Sequence, residues 1–349
     1  MKNSYFIYGD LQFGKDGDFS LPSKSGFTTR LDNTLATCQL IADEISKRKP
    51  KYVIGLGDNF DPQSTIDTIT LSACSEGLGI IGKTCDNVGA EHHVIVGNHD
   101  IITKDSRIFS SKFLDYYPNT FVHLDVEQVG EMAFVPFLSN EYEMMKKISN
   151  LEPGSIVFSH IDIKGSYLND KYVIDSGIDP SVFSKFSFVF NGHIHIPQKI
   201  EPNIWCVGSA LQFYAHERPI KIPRGFYFVD SDSLSPVFIK NTASPAIYKT
   251  RSIEELKTFD SDSYVIFEYD RNKMSESDAI NLVKRFQRYR VLGINISDFS
   301  QARRSKYIRS TTEKDIVEEF FTQYNNPLVN KEDLKRESLN ILNKGLKGV

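Results

Sequence analysis

Short apolar runs rich in β-branched and aromatic residues recur along the first 240 positions, at 5–8, 52–56, 94–96, 156–158 and 186–190, and each leads into Gly, Asp, Asn or His. Runs that are apolar on both faces suit central strands of a covered sheet. Between the first two, residues 30–49 carry Leu31, Leu35, Cys38, Ile41, Ala42 and Ile45 on one helical stripe, with Pro50 beyond the end. Strand, helix and strand in that order predict a layered α/β domain. After residue 200 the pattern is mainly strands, at 204–207, 225–229 and 237–239, which suits a second sheet facing the first.

A polar break rich in Ser, Thr, Asp and Pro spans 241–262. A strand at 264–269, a helix at 276–289 opened by Ser275, and a strand at 291–296 then predict a small β-α-β unit. Residues 301–311 read as a polar, basic linker. An amphipathic helix follows at 313–324, with Ile316, Val317, Phe320, Phe321 and Tyr324 on one face, capped by Thr312 and Asp315. A second helix is expected at 331–344, with Leu334, Ile341 and Leu342 inward. The expected organisation is a main domain at 1–245, a β-α-β unit at 246–300, a linker at 301–311 and a helical segment at 312–349.

Composition narrows the class. The 349 residues are 40% hydrophobic and 25% charged, as in globular proteins. No run of about 18 apolar residues occurs, so no membrane span is expected. The N-terminus enters a strand-like run without the long apolar stretch of a signal peptide, and a cytoplasmic location is expected. Cys38, Cys74, Cys85 and Cys206 lack paired metal-ligand spacing and read as reduced thiols. Net charge is −4, divided as −6 over 1–250 and +2 over 251–349. Residues 284–309 hold eight bases and one acid, a candidate phosphate-contacting stretch or simply a solvated basic face.

The chemistry gathers at the strand ends. Asp10 and Gln12 follow the first strand, Asp58 and Asn59 the second, Asn98, His99 and Asp100 the third, His160 the fourth, and His193 and His195 the fifth. Residues just past strand carboxyl ends converge on one crevice in a layered α/β fold. Asp58 suits a bridge between two cations, because a carboxylate has two oxygens and the charge to offset both. Oxygen and imidazole ligands suit Mn²⁺, Fe²⁺, Zn²⁺ or Mg²⁺. Two cations about 3.5–4 Å apart polarise a phosphate and activate water. His99 lies one residue past Asn98 and is placed to face substrate, with Asp100 available to orient its ring. Taken singly, a Gly-Asp pair after a strand is usually a turn, lone histidines such as His123 and His216 read as structural or surface, and His92 and His93 begin a strand with no assigned role.

The series resembles the calcineurin-like metallophosphoesterase signature over residues 4 to about 230. That resemblance implies a two-sheet sandwich flanked by helices. It implies a first metal site at Asp10, Asp58 and His195, and a second at Asp58, Asn98, His160 and His193, with His99 as the catalytic histidine. One position departs: the family has histidine where this chain has Gln12, a weaker ligand, so the first site is expected to bind metal less tightly.

Three further features resemble SbcD-type nuclease subunits: Gly208-Ser209 followed by Arg224-Gly225-Phe226, the β-α-β unit as a capping domain, and the terminal helical pair. This implies a Mn²⁺-dependent DNA exonuclease or endonuclease subunit of a recombination and repair complex. Its implied partners are DNA, through the backbone, an SbcC-type ATPase, through the last helices, and a second copy of the chain. Amphipathic stretches at 60–85 and 105–117 are candidates for that homodimer contact. The chain has no Walker-type loop, since the glycines at 77–82 lack the Lys-Ser/Thr ending. Two alternatives stay open: a phosphoesterase acting on nucleotides or phosphoproteins, and a weakened subunit that binds DNA and the ATPase.

Overall fold

A computed structural model describes residues 3–62, 65–101, 109–168, 172–215, 222–230, 235–295, 321 and 330–345. The chain divides into two compact units, Met1–Tyr269 with Met274–Leu292, and Asp270–Lys273 with Gly293–Val349.

In the first unit, β1 (Ser4–Tyr8), β2 (Tyr52–Gly55), β3 (Glu91–Ile95) and β4 (Thr120–His123) run parallel in one sheet. The antiparallel strands β11 (Gly225–Asp230) and β12 (Val237–Lys240) extend it beyond β1. The second sheet has the order β5 (Glu127–Val129), β6 (Met132–Val135), β7 (Ile156–Ser159), β8 (Phe188–Asn191), β10 (Ile204–Cys206) and β9 (Gln198–Glu201). Strand alternation builds the layers. Tyr5 and Ile7 of β1 face the second sheet, in a core with Ile54, Phe134, Phe158 and Phe190. Phe6 and Tyr8 face the opposite way, into a core with Leu31, Cys38, Ile41 and Leu78. Those last residues come from α1 (Thr29–Arg48) and α2 (Thr68–Val88), which pack together. The far face of the second sheet packs Ala133, Val157 and Val189 on Met144 and Ile148 of α3 (Glu141–Ser149). The fold is therefore a two-sheet α/β sandwich between helical layers.

Helix α1 starts where Thr28 accepts the Leu31 amide and ends at Lys49, whose left-handed backbone (φ 48°) caps it. Leu31, Cys38, Ile41, Ala42 and Ile45 of the predicted stripe are buried, and Leu35 packs partly buried beside them.

Several elements differ from expectation. β10 joins the second sheet, but β11 and β12 return to the first, because β11 pairs along the full length of β1. The expected helix at 276–289 stops at Val283, and Arg288–Ile294 forms β15. Phe286 turns into the core there, and Arg285 donates to the carbonyls of Leu256 and Phe259. These carbonyls belong to α4 (Ile253–Thr258) and the residue capping it. The β-α-β unit is thus larger, with β13 (Ile247–Thr250) pairing in parallel with β14 (Tyr264–Asp270), α5 (Glu276–Val283) before β15, and α4 between β13 and β14.

Part of the basic stretch is structural. Arg288 lies over the Tyr264 ring, and Arg290 lies over Phe19 and donates to the Asp18 carbonyl. Arg303, Arg304, Lys306 and Arg309 lie outside the described residues, as do the expected linker and nearly all of the 313–324 helix. Phe321 is buried. In the second unit α6 (Lys331–Gly345) forms as expected, but Leu334 is exposed rather than inward. Among the described residues no helix is long and apolar enough to cross a membrane, and all four cysteines are buried and free.

Candidate metal centre

The turns after β1, β2, β3, β7 and β8 meet at one end of the sandwich. Three residues there, Gln12 (φ 38°), Asp58 (φ 50°) and His193 (φ 63°), adopt the left-handed backbone that non-glycine residues avoid. Such strain persists where surrounding contacts over-determine the chain, and it clusters at functional sites. Here the Gln12 amide donates to the Asp58 carbonyl (2.9 Å) and the His193 amide to Asp10 Oδ1 (3.2 Å).

The side chains fall into two adjoining halves. In one, ligand atoms of Asp58, His160 and His193 lie within 4.8 Å of one another. Asp58 Oδ2 is 3.3 Å from His160 Nε2, and Asn98 Oδ1 is 3.0 Å from the same nitrogen. His160 Nδ1 donates to the Leu56 carbonyl (2.6 Å), which aims Nε2 at the cluster. His193 Nε2 lies 3.1 Å from Asp162 Oδ1. In the other half, His195 Nε2 is 3.5 Å from Asp10 Oδ2, and the Gln12 side-chain amide donates to that nitrogen at 3.0 Å.

The electrostatics are those of a crowded buried acid cluster. Burial would raise the Asp58 pKa, but the His160 charge and hydrogen bond outweigh it and hold this carboxyl well below its usual range. Burial lowers the affinity of His160 for its proton, yet Asp58 and Asp10 reverse this and push its pKa up to about 10. Asp10 is pushed up, chiefly by burial. Asp100 is pushed up to about 7 by burial, with the nearby Asp58 charge adding to it. Asp10 Oδ2 is buried and accepts no hydrogen bond among the described residues. An orphaned carboxylate oxygen facing an imidazole nitrogen fits a divalent cation, which would satisfy both.

His99 sits at the rim. Its amide donates to Asp58 Oδ1 (2.8 Å), and its ring Nδ1 donates to the Asp61 carbonyl (2.5 Å). The expectation that Asp100 orients this ring is corrected. Both Asp100 oxygens accept backbone amides instead, from Asn59 (2.9 Å) and Gly97 (3.0 Å), tying the β2 and β3 turns together. Gly97 is required by closeness, since a Cβ there would stand 2.1 Å from Asp58 Oδ1.

Asp162, Asp61 and Arg30 also stand at or beside the cluster without being sequence candidates. Asp162 stands two residues past His160 and Asp61 three past Asp58, so proximity to these candidate ligands was the available signal. Arg30 sits on a helix and offered none.

No family model matches the chain. It is 27% identical over 199 residues to exonuclease subunit 1 of Enterobacteria phage T4. The match covers 55% of this chain and 56% of that relative, so the chain spans about half the length of the protein it matches.

Proposed function

We propose that this chain is a metal-dependent phosphodiesterase of the calcineurin-like class, cleaving DNA as the nuclease subunit of an SbcCD-type complex. The observation that carries the reading is the meeting of Asp10, Asp58, Asn98, His160, His193 and His195 at the strand ends. The similarity to a phage exonuclease subunit points the same way.

In this reading Asp58, Asn98, His160 and His193 would hold one divalent cation, and Asp10, Asp58, His195 and Gln12 another, with Mn²⁺ the expected metal. Bound there, the ions supply Lewis-acid polarisation of the phosphate and activation of water. The chain's own groups do the rest. The Asp61 carbonyl keeps the proton of His99 on Nδ1, so Nε2 is the atom facing the scissile phosphate. There Nε2 would take up a second proton from solvent, and the imidazolium so formed would deliver it to the leaving oxygen, returning the ring to its Nδ1–H form. Asp100 holds the β2 and β3 turns at fixed separation.

The proposed organisation follows the sequence reading, with a phosphoesterase domain at 1–245, a capping unit at 246–300, a linker at 301–311 and a segment at 312–349 gripping the ATPase. On α6 Leu334 is exposed, while the side chains of Ile341 and Leu342 lie outside the described residues. A homodimer is proposed with it. A second reading rests on Gln12. Its amide caps the nitrogen of His195 that a metal would need, which favours a subunit with a weakened first site.

The test is a nuclease assay on single- and double-stranded DNA with Mn²⁺, with and without an SbcC-type ATPase and ATP, alongside p-nitrophenyl phosphate and cyclic nucleotides. Cleavage of DNA that His99→Ala abolishes is the expected outcome. Hydrolysis confined to small phosphoesters would overturn the DNA assignment.

A further inference from the structure

Arg30 lies in the first turn of α1 and is 6% exposed, although it is no candidate ligand. A buried guanidinium is costly unless its donors are matched. Here Nη1 and Nη2 reach three separate chain segments, while the buried Nε has no hydrogen-bond partner among the described residues. Nη2 donates to the Gln12 carbonyl (2.9 Å), in the turn after β1. Nη1 lies 2.9 Å from Asp61 Oδ2, in the turn after β2, and also donates to the Asp16 carbonyl. The same nitrogen donates to the Tyr214 hydroxyl (3.1 Å), which in turn donates to Asp61 Oδ2 (3.1 Å). The guanidinium carbon stands 4.9 Å from the Phe213 ring centre and 5.3 Å from that of Tyr214. Phe213 meets the His195 ring edge-on at 5.8 Å.

The consequence runs through Asp61. This residue gives its carboxylate to Arg30 and Tyr214, and its main-chain carbonyl to His99 Nδ1. Fixing the carboxylate fixes the carbonyl, which can only accept and so holds the proton on Nδ1. A single ammonium cannot span these acceptors, whereas a planar fork can. We propose that Arg30 is a positioning residue for His99, setting its ring tautomer and direction through Asp61 while pinning the Gln12 turn through its carbonyl.

This rests on the phosphodiesterase reading only for its effect on rate, so its main test needs no activity. Imidazole ¹⁵N spectra of the full, metal-free chain report the tautomer of each histidine, with His99→Gln assigning the His99 signals. Wild-type His99 is expected as a single Nδ1–H tautomer. Arg30→Met should convert it to a mixture while His92 and His93, which lie elsewhere in the sandwich, keep their signals. Arg30→Lys should not restore it, and millimolar guanidinium added to Arg30→Met should. Asp61→Asn keeps shape and carbonyl but removes the carboxylate charge; it should also loosen the tautomer, and it decides the matter if Arg30→Met does not fold. If the chain cleaves DNA, kcat should fall about 10²-fold in Arg30→Met with KM within threefold. An unchanged His99 tautomer in a folded Arg30→Met, or in Asp61→Asn, overturns the proposal whether or not the chain is a nuclease.

Discussion

Replacing Gly97 by alanine adds one methyl group at the point where the β3 turn passes over the candidate bridging carboxylate. Gly97 is not in the left-handed region, so the backbone accepts alanine without conformational strain. The penalty is steric. The new Cβ would stand 2.1 Å from Asp58 Oδ1 and 2.5 Å from the Asp58 amide nitrogen. Opening the first contact to 3.0 Å requires a retreat of about 1 Å by a carboxylate that His99 and His160 hold in place. Overpacking of this kind costs about 1–3 kcal/mol. A 1 Å misplacement at a reacting centre costs about 10²-fold in rate. Gly97→Ala should therefore unfold cooperatively with a modestly lowered Tm. It should bind Mn²⁺ at least about tenfold more weakly by calorimetry, and lose about 10²-fold of any Mn²⁺-dependent DNA cleavage. Gly154→Ala is the control. Its Cβ meets nothing within 4 Å, but its φ of 84° imposes backbone strain of about 1–2 kcal/mol. It should lower Tm and leave metal binding untouched. Wild-type Mn²⁺ affinity in Gly97→Ala would refute the placement of Asp58 at a metal.

Three further outcomes are expected. Gln12→His should raise affinity for a second Mn²⁺ by more than about tenfold, because a ligand would replace the amide that now caps His195; unchanged calorimetric stoichiometry and affinity would count against a weakened first site. Burial holds the pKa of His92 down to about 4, and burial aided by the neighbouring His123 and His92 holds that of His93 down to about 3. The unfolded chain thus binds more protons below about pH 6.5. Their contribution to stability is complete above that pH and is lost as pH falls toward 3–4. His93→Phe should flatten the fall of Tm between pH 6.5 and 4, and an unaltered acid profile would refute this. Lys49→Gly should raise Tm, by relieving about 1 kcal/mol at the left-handed end of α1; a lower Tm would show that the Lys49 side chain matters more than its backbone.

Much of the fold is local in origin and was legible. The apolar runs that became β1, β2, β7 and β8 are buried on both faces, so their composition alone marks them. The α1 stripe follows helical periodicity closely enough to place its buried residues. Ligand-type residues stand immediately after these strands, so the positions of Asp10, Asp58, His160 and His193 followed from the strands themselves.

What the sequence could not decide depends on contacts between distant segments. Nothing local tells β11 to pair with β1 rather than with β10, since that choice is made by hydrogen bonds across more than 200 residues. Nor does periodicity end α5 at Val283, because the Arg285 guanidinium finds its acceptors about 26–29 positions earlier. The nitrogen each histidine presents is likewise set by remote carbonyls, Leu56 for His160 and Asp61 for His99. Residue identity thus determined which groups surround the cleft. Only tertiary packing decided which atom each one turns inward, because hydrogen-bond partners are chosen by position in space and not by order along the chain.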